Sequence, residues 1–186
     1  GELAEVGAEW SARGRDVVVI GGGDTGSDCV GTSRRHGAKS VTQIEIMPRP
    51  PATRLAANPW PEWPRIFRSS SSHHEGCERM FNVNTLAFDA GPDGRVGGVR
   101  CVQVEWQGRT PVAKAGTEFI LKADLVLLAM GFTGPAKGSP SADGLTNVWA
   151  AGDMVTGPSL VVWAGARGHD VARQMAAALA PAPVQV

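Results

Sequence analysis

The residues with a spacing that suggests chemistry are mostly glycines. Gly21, Gly22, Gly23, Asp24, Thr25 and Gly26 run without a break, and within them lies Gly21-x-Gly23-x-x-Gly26. Each position has a physical use. Gly21 permits a tight turn, Gly23 lets the backbone approach a pyrophosphate, and Gly26 lets a following helix pack closely on a preceding strand. The first turn of such a helix leaves backbone N–H groups unpaired, and with the helix dipole they attract an anion. Further on, Glu45 lies where an acidic residue would meet the adenosine ribose hydroxyls. Arg49 follows four residues later and could meet a 2′-phosphate instead. Position alone leaves NADH and NADPH open. Late in the chain, Gly152-Asp153 stands shortly before Ser159 and Leu160. A strand-end Asp there could accept hydrogen bonds from sugar-like hydroxyls, while the start of a helix faces a phosphate or an electron-rich ring.

Those residues need elements to hold them. Val17 to Ile20 is a short, β-branched apolar run that reads as a buried parallel strand, and it enters the glycine turn directly. A helix is predicted over about Thr25 to His36, with Gly37 as its stop. Ser40 to Ile46 reads as a second strand. Residues 47–76 contain Pro48, Pro50, Pro51, Pro59, Pro61 and Pro64, which exclude a long helix or a central strand. Trp60 and Trp63 argue that this long excursion is ordered. Its His73-His74-Glu75 end is read as hydrogen-bonding or surface residues, because adjacent histidines project differently and no second ligand cluster accompanies them. Residues 79–106 are expected to form a hairpin closed by the turn Gly91-Pro-Asp-Gly94. Thr117 to Leu121 reads as a further strand. Ala123 to Gly131 reads as a buried strand returning to the first sheet. A Gly/Pro/Ser-rich loop over 133–146, a short strand over Asn147 to Asp153 and a helix over Ser159 to Ala180 complete the chain.

Composition excludes some classes of function. The 186 residues carry 18 basic and 18 acidic side chains, so nothing in the charge favours nucleic acid or an anionic membrane. No apolar run approaches the roughly 18 residues of a spanning helix. Cys29, Cys77 and Cys101 lie far apart, with no C-x-x-C spacing, so neither a metal site nor a cysteine-ligated cluster is expected. Sparse, odd-numbered cysteines suit the cytoplasm. A chain that opens on Gly1 is read as a fragment or a processed product.

Longer runs carry a family resemblance. Val17 to Ser33, Gly37 to Gln43 and Glu45-Ile-Met-Pro-Arg-Pro-Pro51 are similar to the pyridine-nucleotide domain of the small (β) subunit of glutamate synthase. Asn58-Pro-Trp-Pro-Glu-Trp-Pro-Arg-Ile-Phe-Arg68 is the most distinctive part of the match. Leu125 to Phe132, Ala150-Ala-Gly-Asp153 and Ser159 to Ala164 extend it over most of residues 12–180.

The resemblance implies an α/β fold: a Rossmann-like dinucleotide-binding domain with a parallel sheet and an inserted antiparallel hairpin, followed by the C-terminal remnant of a second, FAD-binding domain. The expected boundaries are 1–132, a shortened linker over 133–146, and 147–186. In that family NADPH gives a hydride to FAD. Electrons then pass through iron–sulfur clusters to the large (α) subunit, where glutamate is made. No catalytic acid or base is expected from the chain, because the cofactors carry the redox chemistry. By this resemblance Gly21, Gly22, Gly23, Asp24, Thr25 and Gly26 line the NADPH pyrophosphate, with Glu45 and Arg49 beyond them. Gly152, Asp153, Ser159 and Leu160 would face FAD, and Gly131 is a further cofactor-binding candidate. The family's upstream glycine loop and cysteine-rich region have no counterpart in these 186 residues, so a C-terminal portion with half a flavin site is expected. Two other readings stand beside this one. The first is another FAD/NAD(P)H reductase; the second is a non-catalytic module that binds a dinucleotide or docks through residues 58–68.

Overall fold

The structure, a computed structural model, describes residues 7, 9–134 and 144–180. It has two compact units, one up to Met130 and one from Gly131 onward.

The first unit is built on a parallel sheet. Strand β1 (Asp16–Ile20) pairs with β2 (Ser40–Glu45) on one side and β8 (Leu125–Leu128) on the other. Strand β3 (Glu78–Phe81) pairs in parallel with the outer edge of β2, giving the order β3-β2-β1-β8. Every residue of β1 is buried, as expected of a strand covered on both faces. Side chains alternate along it. Val17 and Val19 join Val30 of helix α1 (Asp24–Arg35) in one core, whereas Val18 and Ile20 join Val83, Val99 and Cys101 in the other. The second core is closed by an antiparallel sheet. Its strands β4 (Val83–Ala90), β5 (Val96–Gln107), β6 (Thr110–Ala113) and β7 (Phe119–Lys122) all pair directly or through β5.

Several expectations are corrected here. Residues 79–106 are not one hairpin: the first part is β3, which belongs to the parallel sheet, and only β4 and β5 form the hairpin around Gly91–Gly94. Asn82, at a φ of 57°, turns the chain between the two sheets. The hairpin is itself extended to four strands, because β6 and β7 each pair with β5. Strand β7 starts two residues later than its Thr117 reading. The 47–76 excursion holds one short helix, α2 (Ser71–His74). Trp60 and Trp63 are exposed, so they are not what orders it. Buried Asn58 does that: its side chain donates to Glu62 Oε2 and the Trp63 carbonyl and accepts from the Arg65 N–H, while Arg54 donates to the carbonyls of Asn58 and Glu62.

In the second unit, 147–152 form no strand, since a strand needs a neighbour to hydrogen-bond and none pairs with them among the described residues. Asp153 instead opens a short helix, α3 (Asp153–Thr156). Helix α4 (Val161–Leu179) follows within the stretch read as helical. Most of the 133–146 loop lies outside the described residues. No described helix is long and apolar enough to cross a membrane.

Candidate functional site

The glycine loop joins the end of β1 to α1. Gly21 has a φ of 124°, which an L side chain rarely adopts, and a Cβ there would collide with the carbonyl of Ala129. A Cβ on Gly26 would collide with the carbonyl of Gly21. These two close approaches bring the first turn of α1 down onto the strand. Nothing lies within 4 Å of where a Cβ on Gly23 would point, so that side of the loop is open. Gly23 is also the N-cap of α1 and offers no side-chain cap, and the first intrahelical bond runs from the Ser27 N–H to the Gly23 carbonyl. The N–H groups of Asp24, Thr25 and Gly26 are therefore those a helix start leaves for a ligand. The room beside Gly23 and these donors suit a pyrophosphate.

Two other loop N–H groups are already used. Gly21 N–H donates to the Ile44 carbonyl at 2.9 Å. Gly22 N–H donates to Glu45 Oε2 at 2.6 Å, and Met47 N–H donates to the other oxygen of the same carboxylate at 3.0 Å. Glu45 thus sits beside the loop, as its spacing suggests, with each oxygen holding a backbone amide.

Next to Gly22 and Glu45 opens a pocket of about 210 Å³, lined also by Phe67, Arg68, Arg79 and Phe81. Arg49 lies 4.4 Å from the centre of the Phe67 ring, and Arg79 lies 4.6 Å from the same ring and 5.4 Å from Phe81. Arg68 stacks on Trp63 at 4.4 Å. Burial lowers the Arg79 pKa, and its Nε has no hydrogen-bond partner among the described residues. Three guanidinium groups held on aromatic faces make this end of the site cationic. Arg79 was not singled out by sequence; the position of β3 beside β2, which brings it here, depends on a pairing that periodicity does not show.

The remaining candidates lie in the second unit. Gly131 and Gly152 have positive φ values of 92° and 74°. Asp153 Oδ1 accepts from both the N–H and the hydroxyl of Ser159, and Leu160 is the N-cap of α4. The structure therefore brings Asp153 and Ser159 together at the start of that helix.

Sequence comparison gives these features a lineage. The glutamate synthase [NADPH] small chain of Mycobacterium tuberculosis is 45% identical over 199 residues, a match covering 94% of this chain and 41% of that one. The chain is a homologue of the glutamate synthase small chain. Glutamate synthase [NADH] of Schizosaccharomyces pombe is 40% identical over 195 residues, covering 89% of this chain and 9% of that protein. The chain thus spans well under half the length of these relatives. No family model matches the sequence. Among solved structures, FprA, an oxidoreductase of Mycobacterium tuberculosis, superposes with a TM-score of 0.61 at 16% identity, over 92% of this chain and 54% of that one. The thioredoxin reductase of T. acidophilum gives 0.56 at 20% identity, over 91% and 54%. These place the fold among such oxidoreductases.

Proposed function

We propose that the chain is the nucleotide-binding part of an NADPH-dependent flavoprotein of glutamate synthase small-chain type. Its role is to pass electrons from NADPH to FAD and on toward a large subunit that makes glutamate. The observation that carries this is the loop itself: a turn that only glycine fits at Gly21 and Gly26, with an open face at Gly23 backed by the free donors of α1. NADPH would supply the hydride and FAD would accept it. The chain's own residues bind and orient, and none acts as an acid or base. Gly21 to Gly26 hold the pyrophosphate. Arg49 and Arg79 favour a 2′-phosphate over a bare ribose by their charge, and Glu45 is partly committed to the amides of Gly22 and Met47. NADPH over NADH is therefore the proposed preference, although relatives of both kinds are named. Gly131, Gly152, Asp153, Ser159 and Leu160 are the proposed contribution of 147–186 and its approach to FAD. The proposed division is 1–132, 133–146 and 147–186. Three free thiols suit a cytoplasmic setting.

The test is a calorimetric titration of the purified chain with NADPH and NADH, beside a visible spectrum for flavin. We expect NADPH to bind more tightly. Gly23→Val should keep the melting temperature, because a Cβ there meets nothing in the fold, and should weaken NADPH by about tenfold or more by blocking the phosphate approach. A folded chain that binds neither nucleotide overturns the assignment.

A further inference from the structure

The His73-His74-Glu75 segment is not used by this site, yet it reaches the glycine loop through a chain of hydrogen bonds. His73 Nδ1 accepts from the backbone N–H of Ser70 at 3.1 Å, while the His73 N–H donates to Ser70 Oγ at 3.3 Å, a reciprocal capping box on α2. With a lone pair on Nδ1, the ring proton sits on Nε2. It donates to Gln43 Oε1 at 2.9 Å. That in turn fixes the Gln43 amide, whose Nε2 donates to the Gly21 carbonyl at 2.9 Å. The reverse orientation would set two acceptors against each other at Gly21 and two donors at His73. At the other end of the loop, the Ser70 hydroxyl hydrogen-bonds the Ser27 hydroxyl in the first turn of α1.

We propose that α2 is a clamp on the nucleotide loop and that His73 is a positioning residue for it. Through Gln43, His73 sets the carbonyl of Gly21 at the loop's start; the Ser70 hydroxyl contacts Ser27 at its end without passing through the His73 ring. Gln43 is buried, at 2% exposure, in register between Val19 of β1 and Arg79 of β3, and its amide bonds the Gly21 carbonyl on one side and the His73 ring on the other. Turning the Gly21 carbonyl inward keeps an acceptor away from the pyrophosphate and leaves the donors of Asp24, Thr25 and Gly26 facing it. His73 is also held neutral: burial first, then Arg79 of β3 and the adjacent His74, lower its pKa below the ordinary 6.5. The neutral ring is the form that can accept at Nδ1 while donating at Nε2.

This inference rests on the nucleotide reading above, and two substitutions separate it from a purely structural role for α2. In the full chain, His73→Asn retains an acceptor for the Ser70 N–H but cannot reach Gln43. His73→Gln retains a donor toward Gln43 but gives up the cap. A clamp predicts that His73→Asn weakens NADPH about fivefold, the size of one neutral hydrogen bond, while His73→Gln stays within about twofold of the unmodified chain. Adding His73→Asn to Gln43→Leu should cost nothing beyond Gln43→Leu alone, because both cut the same chain of bonds. The proposal is overturned if His73→Asn binds NADPH as the unmodified chain does, or if the two substitutions multiply. Amide hydrogen exchange over 21–27 without nucleotide gives a second readout. It should quicken in His73→Asn and not in His73→Gln. If the unmodified chain is folded and binds no NADPH, the nucleotide reading fails, and exchange alone decides whether the clamp exists; unchanged exchange overturns it.

Discussion

Asp16 shows how much one residue can carry at the end of β1 opposite the glycine loop. It opens β1 and is buried, and its carboxylate accepts from Lys122 Nζ and Ser40 Oγ, each at 2.7 Å, with Lys39 3.5 Å away. The Lys122 and Ser40 bonds outweigh burial and hold its pKa at about 2, against an ordinary 3.8. A carboxyl whose pKa is depressed by folding adds stability that is complete above its unfolded value and lost as pH falls through the folded one. Asp16→Asn should therefore be less stable than the unmodified chain at neutral pH. The gap should close between about pH 4 and about pH 2, read as urea midpoints across that range. An equal gap at every pH would mean that the carboxylate charge is not what matters. Other single residues were legible to different degrees. The glycines could be read because only their type satisfies the backbone and packing that the structure shows at Gly21 and Gly26. Gln43 and His73 could not, because their function is a hydrogen bond 30 positions apart in sequence. Ser70-x-x-His73 does have capping-box spacing, with His in place of the usual Glu or Gln, and that was the available signal.

At the scale of elements, β1, α1, β2 and β8 were readable, since apolar runs and a glycine stop mark them locally. What failed was the join between sheets. Phe81 to Phe88 looks continuous, and alternation alone cannot say that one partner ends and another begins inside it. The structure divides it at Asn82, whose φ is 57°. Its N–H donates to the Met47 carbonyl and its carbonyl accepts from the Val104 N–H, so this one residue ties the parallel sheet to β5. Asn tolerates the left-handed region better than most residues. Asn82→Gly should therefore leave stability nearly unchanged. Asn82→Val should cost about 1–2 kcal/mol, the penalty for forcing a β-branched side chain into that conformation. Denaturant titration of both variants checks this. Equal stability would mean that the junction relaxes to an ordinary backbone conformation.

At the scale of the whole molecule, the first unit contains everything that the nucleotide reading uses. Both apolar cores, the glycine loop, the arginine-lined pocket and the α2 clamp lie before Gly131. The last strand is indispensable to it. β8 pairs with β1 from Val17↔Leu125 to Ile20↔Leu128, the Ala129 N–H donates to the Ile20 carbonyl at 2.7 Å, and the Ala129 carbonyl backs Gly21. A chain ending after Met130 should then unfold in one cooperative transition and bind NADPH with the affinity of the full chain. A chain ending after Asp124 should not fold: β1 would lose one whole side of its hydrogen bonding, and Leu125 and Leu127 would no longer pack against the core. Urea unfolding and NADPH calorimetry on the two truncations make the comparison. If the chain ending at Met130 folds and binds no NADPH while the full chain does, residues beyond Gly131 take part in the nucleotide site. If it does not fold, the cores of the first unit are not sufficient by themselves. The chain spans only part of the length of its relatives. The prediction therefore concerns binding alone: under the proposed function the first unit holds the nucleotide by itself.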